Sequence, residues 1–285
     1  MVILTVDKAT YYLILYFMLA YFFSWIFWIP RLVVVSYPHQ FQGINIISIL
    51  SQLFILGGLG PLISAAIVIH LQEGKEGLKK WGAECVKWRV NYHWYLVVFL
   101  LPLSFFLLAD LIFFLLGGVI GMNITDPLFI IIAFFYILFL GGGLEEPGWR
   151  GYAQPRMMGK LDVLKLGVTL GLIWSFWHLP LFFIPGSSQH GIFFPGYLIY
   201  TTGIALVIAW IYNNTRSVFL CILFHTMFNL SAGLFAPSLT DLTYGMILII
   251  ILYGLIVILF LFHDKETLIR SKNSSISNAS FSEGD

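Results

Sequence analysis

LTYGMILIIILYGLIVILFLF, residues Leu242 to Phe262, holds no charged side chain and is long enough to cross a bilayer as one helix, since ~20 apolar residues span the hydrocarbon core. The stretch shows no period-two alternation, and lipid leaves backbone groups to be satisfied within the segment, so a helix rather than a barrel strand is predicted. Seven similar segments precede it: Tyr11 to Pro30, Ile47 to Leu71, Trp94 to Leu116, Pro127 to Trp149, Val163 to Pro185, Pro195 to Tyr212 and Ser217 to Phe235. The fold class is therefore all-α, a polytopic transmembrane bundle of about eight spans. The first span is too long and aromatic for a signal peptide and is read as retained.

Composition agrees, with 59% hydrophobic and 10% charged residues in 285, where a soluble domain is nearer one quarter charged. All 15 basic residues except Arg31 fall in the loops and termini that eight spans place on a single side. They are Lys8; Lys75, Lys79, Lys80, Lys87 and Arg89; Arg150, Arg156, Lys160 and Lys165; Arg216; Lys265, Arg270 and Lys272. Basic loops stay cytoplasmic, so both termini are expected there, in a multi-pass protein of a bacterial plasma membrane. The chain divides into residues 1–93, two helices and a basic loop; 94–262, a six-helix catalytic membrane core; and 263–285, a tail rich in Ser and Asn that is expected to be disordered. The basic, Trp-containing segment Gly77 to Tyr92 reads either as a headgroup-layer helix or as a plain connecting loop. A net charge of +1 gives no reason to invoke nucleic acid. The partners expected from this composition are membrane lipids. Cys85 and Cys221 have no metal spacing and read as free thiols.

Charges at membrane depth cost about 2.5–3.5 kcal/mol each on insertion scales, so polar clusters inside apolar runs ask for a reason. GGGLEEPGWRG, Gly141 to Gly151, carries Glu145, Glu146 and Arg150. On a helix Glu146 and Arg150 share a face and can pair, leaving Glu145 about 100° away and free. IWSFWHLPLFF, Ile173 to Phe183, places Trp174 one turn before His178, and FLCILFHTMFNLSAG, Phe219 to Gly233, puts His225 and Asn229 on one face. A carboxylate beside a histidine can activate water. A histidine and a carboxamide one turn apart offer two donors for an oxyanion. Helical rise puts His178 ~20 Å and His225 ~14 Å inside the membrane. Glu145, little more than one turn from Arg150, reads as shallower, so the groups meet if the fourth helix carries Glu145 below the surface, where glycines 141–143 and Pro147 would let it bend or pack closely, or if the fifth helix begins outside the membrane. A cavity open to the cytoplasm is expected.

The three motifs, E-E-x-x-x-R at Glu145, Glu146 and Arg150, an aromatic-x-x-x-H at Trp174 and His178, and H-x-x-x-N at His225 and Asn229, resemble those of the CPBP family of intramembrane proteases. That family includes type II CAAX prenyl endopeptidases and Abi proteins linked to bacteriocin immunity. Trp174 departs from the family's usual Phe. The resemblance implies an endopeptidase acting on a peptide or small membrane-protein substrate, with Glu145 as general base, His178 as its partner on water, and His225 and Asn229 as the oxyanion site. It implies that Glu146, Arg150 and Trp174 support the site. The family's naming as metalloproteases implies a divalent metal such as zinc, for which Glu145, His178 and His225 are the candidate ligands; the same groups are equally suited to handling water without one. Two other functions fit buried Glu, Arg and His: an ion-coupled carrier, disfavoured because no matched pair of broken helices shows in the sequence, and a non-catalytic immunity or scaffold protein.

Overall fold

The computed structural model describes residues 7–41, 45–121, 123, 126–237 and 239–269. Apart from one isolated bridge between Met158 and Leu161, these residues are helical or in turns. The elements in chain order are α1 (Lys8–Ser36), α2 (Ile46–Gln52) followed by a 3-10 segment (Phe54–Leu59), α3 (Gly60–Cys85), α4 (His93–Leu115) and α5 (Pro127–Phe139). After α5 come a 3-10 turn (Gly143–Glu145), α6 (Glu146–Gly148), a π turn (Trp149–Ala153) and α7 (Gln154–Met157). The last four helices are α8 (Val163–Trp177), α9 (Phe194–Thr215), α10 (Val218–Phe235) and α11 (Leu242–Phe262).

Among the described residues seven helical passes are long and apolar enough to cross a membrane. The remaining expected span is α8, only 15 residues long, continued by a 3-10 turn over Leu179–Phe183. Fifteen α residues rise ~22 Å and five 3-10 residues add ~10 Å, so the two pieces together match the hydrocarbon thickness. The outward faces carry exposed large apolar side chains such as Ile131, Leu164 and Ile250, as a lipid-facing surface requires.

Three differences from the sequence reading shape the site. First, the fourth pass does not stop at Trp149 but runs Pro127–Met157. Pro155, which cannot donate an N–H, is accommodated because it begins α7 directly after a π turn. Arg156, which the sequence places in a loop, is held on the helix by Glu73 at 2.9 Å and by the Tyr152 ring. Counted back from Met157, Glu145 lies ~18 Å inside, close to the depths of the two histidines, which removes the mismatch. Second, the fourth and fifth passes are both broken, at Leu140–Gly142, where the run of glycines 141–143 lets a helix bend, and at His178. The broken passes are consecutive neighbours. Third, the basic segment is helical as far as Cys85, after a kink at Gly74, whose φ of 65° a side chain would oppose. Trp81 of that helix donates to the Pro147 carbonyl at 3.0 Å.

The start of the presumed tail is also folded. Asn213 and Asn214 donate to the Thr267 and Leu268 carbonyls, the Val163 amide donates to the Glu266 carbonyl, and Leu268 is fully buried. Asp264 closes this turn, and hydrogen bonds from the Thr267 hydroxyl and the nearby amides hold its carboxyl below the ordinary range. Ser271 to Asp285, where disorder is expected, lies outside the described residues. Cys85 and Cys221 are free thiols.

Candidate active site

A helix that ends inside a membrane leaves carbonyls without partners, and each must be met by a side chain. At the end of α8 that task falls to His178 and α1. The Trp174 carbonyl accepts from His178 Nδ1 at 2.9 Å, the Ile173 carbonyl from the Tyr21 hydroxyl at 2.6 Å, and the Trp177 carbonyl from Trp25 Nε1 at 2.9 Å. A carbonyl can only accept, so Nδ1 carries the proton and Nε2 of His178 keeps a lone pair. The ring is fixed by the aromatic side chains of Trp177, Tyr197 and Trp28.

The second break sits at Gly142, with φ of 127°, a conformation that favours glycine. A methyl group at Gly142 would lie 2.7 Å from His225 Nε2 and 2.8 Å from Asn229 Nδ2. Two nitrogens one helical turn apart thus converge on the same point beside the break. Asn229 Nδ2 also donates to the Gly141 carbonyl at 3.0 Å, which meets one of the orphan groups. The second N–H of that amide remains available.

The adjacent carboxylates have different surroundings. Glu146 is fully buried; one of its oxygens accepts from Arg150 at 3.0 Å and from His225 Nδ1 at 2.8 Å. The i,i+4 pairing read from the sequence is therefore present, and Glu146 also orients His225. Arg150 lies over the Trp174 ring, 5.1 Å from its centroid. Glu145 is 6% exposed and takes two indole N–H groups on one oxygen, Trp174 at 2.7 Å and Trp149 at 3.3 Å. Its other oxygen makes no such bond, and the residue borders the cavity.

Trp174 is the hub of the arrangement. Its N–H holds Glu145, its carbonyl holds His178, and its ring packs edge-on against His225 at 5.2 Å. A Phe at this position would keep the ring contacts and lose the bond to Glu145. Trp149 was missed as a site residue, although it stands one turn from Glu145 and its indole could have been expected there. The run of glycines 141–143 reads in the sequence as a point of bending or close packing; that Gly142 faces His225 and Asn229 does not, because it depends on residues from α10.

Glu145, Trp174, His178, His225 and Asn229 all border one cavity of about 690 Å³. Its walls come from Trp28, Phe54, Tyr136, Ile137, Tyr197, Tyr200 and Phe228, and its rim from Asn123, Ser187, Ser188, Gln189 and Thr240. These loop residues lie at the end of the bundle opposite the one that gathers most of the basic residues. Toward the basic end the floor is solid, with Trp149, Arg150, Tyr152 and Gln154 fully buried. Among the described residues no three His, Cys, Asp or Glu side chains form a metal-holding group. The Nδ1 hydrogen bonds of His178 and His225 leave both Nε2 atoms free, and Glu145 keeps one free oxygen, a donor set that suits a divalent metal and the direct handling of water alike.

Fold and site together describe a multi-pass membrane protein with a polar, hydrolase-like constellation inside the bilayer. The family model for Rce1-like type II CAAX prenyl endopeptidases matches residues 127–231, which include every residue of the site named above from Glu145 to Asn229. The chain is also 28% identical to CAAX prenyl protease 2 of Methanococcus maripaludis over 237 residues, covering 78% of this chain and 84% of the relative. Both matches support a CAAX-type intramembrane protease.

Proposed function

We propose that the protein hydrolyses a peptide bond of a membrane-associated substrate with Glu145 as general base. The observation that carries this reading is that Glu145, His178, His225 and Asn229, from three separate passes, border one cavity. Water held between the free oxygen of Glu145 and the Nε2 lone pair of His178 gives up a proton to Glu145 as it attacks the scissile carbonyl carbon. The developing oxyanion takes hydrogen bonds from Asn229 Nδ2 and from His225 Nε2 when that ring carries both protons. Glu146, accepting from Nδ1, supports the doubly protonated ring. Glu145 then returns its proton to the leaving amine, the peptide C–N bond breaks, and two chain ends result.

The membrane-embedded placement and the two CAAX-protease matches favour this over an ion-coupled carrier. Peptides, small membrane proteins and prenylated tails are the substrate classes considered. The test compares membrane peptides by mass spectrometry in cells carrying the parent chain or Glu145→Gln, which keeps the size and removes the base. Uncut substrate should accumulate with Glu145→Gln; equal cleavage by the purified variant would end the reading.

A further inference from the structure

Eight buried side-chain nitrogen or oxygen atoms among the described residues meet no protein partner, and five of them belong to four residues: Arg150 Nε and Nη2, Glu146 Oε2, the Tyr16 hydroxyl and Ser64 Oγ. Arginine and a carboxylate often join side by side through two parallel hydrogen bonds. Here a single bond joins them, Nη1 to Oε1 at 3.0 Å, and the same Oε1 also takes His225 Nδ1 at 2.8 Å. Nη2 and Oε2 are left over, although both residues are wholly buried. The Trp174 ring lies 5.1 Å from the guanidinium carbon, but a π face satisfies N–H groups only weakly.

Tyr16 and Ser64 approach this pair from two other helices. The Tyr16 ring packs against Trp149 and Tyr152, which bracket Arg150, and the charges of Arg150 and Glu146 act on its hydroxyl. α3 runs antiparallel to α1, with Gly60 beside Ala20 and Ser24, and with Gln72 and the Tyr12 carbonyl meeting the same Tyr152 hydroxyl. Ser64, one turn beyond Gly60, is therefore level with the stretch from Tyr16 to Ala20. Pro61 packs on Gly148, which brings that turn of α3 against the fourth pass as well.

The atoms left over are donors on Arg150, an acceptor on Glu146, and two hydroxyls that can do either. An anion would meet the carboxylate and a cation would meet the guanidinium. A molecule that donates and accepts at once suits both, and the one small enough for a closed interior is water. We infer that a sealed cluster of ordered water lies between α1, α3 and the fourth pass, bound by Arg150, Glu146, Tyr16 and Ser64 and separate from the water consumed in the cavity. It completes the shell of a fully buried ion pair at membrane depth, where no other solvent is at hand. Because Glu146 holds His225 Nδ1, the cluster also steadies one of the two oxyanion donors. That consequence rests on the proteolytic reading; the water site does not.

The test is X-ray radiolytic footprinting of the full-length chain in lipid nanodiscs, in which ionised water yields hydroxyl radicals that oxidise the side chains beside it. Tyr16 should be oxidised several-fold more than Phe106 and Phe224, which are as deeply buried but packed among other phenylalanines, once each rate is normalised to the amino acid's own reactivity. After rapid mixing into oxygen-18 water, the oxygen added to Tyr16 should carry the label later than that added to the exposed Tyr92. Oxidation of Tyr16 no greater than that of the two phenylalanines overturns the inference. Label reaching Tyr16 as fast as Tyr92 overturns it too, because bulk water would then have access. The footprint should be the same in a Glu145→Gln chain, so hydration and catalysis are scored separately.

Discussion

The two halves of the fourth pass use the same membrane in opposite ways. Pro127–Phe139 is almost wholly apolar and buries none of its residues against protein, whereas residues 143–157 carry two carboxylates and two arginines and are buried for most of their length. In water, burial follows apolarity; here the apolar half faces outward and the polar half is covered by protein. Hydropathy along this pass therefore reports contact with lipid, and its failures mark contact with the protein's own site.

Substitutions can sharpen or break that contrast. The largest effect is expected at Glu145, where Glu145→Gln should lower turnover by ~10³-fold while melting in detergent stays near the parent's, because general-base catalysis is lost and volume is kept. Arg150→Met removes one partner of a fully buried ion pair and should cost about 3–5 kcal/mol, read as a lower melting temperature by tryptophan fluorescence. If that variant melts like the parent, the covered half is not held by its charges. Trp174→Phe keeps the ring and removes the 2.7 Å bond to Glu145, a hydrogen bond to a charged group worth about 1.5–3 kcal/mol. It should reduce turnover by roughly tenfold or more with little change in substrate binding, and a chain cleaving at the parent's rate would show that the indole only fills space. Ile131→Val, on the outward half, should shift stability by less than about 0.5 kcal/mol in the same melting assay.

Much of the architecture was legible because span length is a one-dimensional property. The Glu146–Arg150 pair and the shared face of His225 and Asn229 were legible for the same reason, since both depend only on helical spacing. What escaped was set by contacts between passes. The bond from Trp174 to Glu145 and the bond from His225 to Glu146 join residues far apart in the chain. The inward depth of Glu145 escaped because Pro155, Arg156 and their neighbours look like a loop until Glu73 and Tyr152 are beside them.

The side chains of α1 that close the broken end of α8 carry a consequence for how small this enzyme can be made. Tyr21 and Trp25 donate to the carbonyls of Ile173 and Trp177, just ahead of His178, and Ser24 receives the Trp177 indole N–H at 2.7 Å, although all three precede the stretch that the family model recognises. A fragment trimmed to residues 127–231 would keep every reactive group and strand the Trp177 carbonyl in hydrocarbon. The minimal autonomous unit therefore begins at the first helix, well ahead of the region in which its motifs lie.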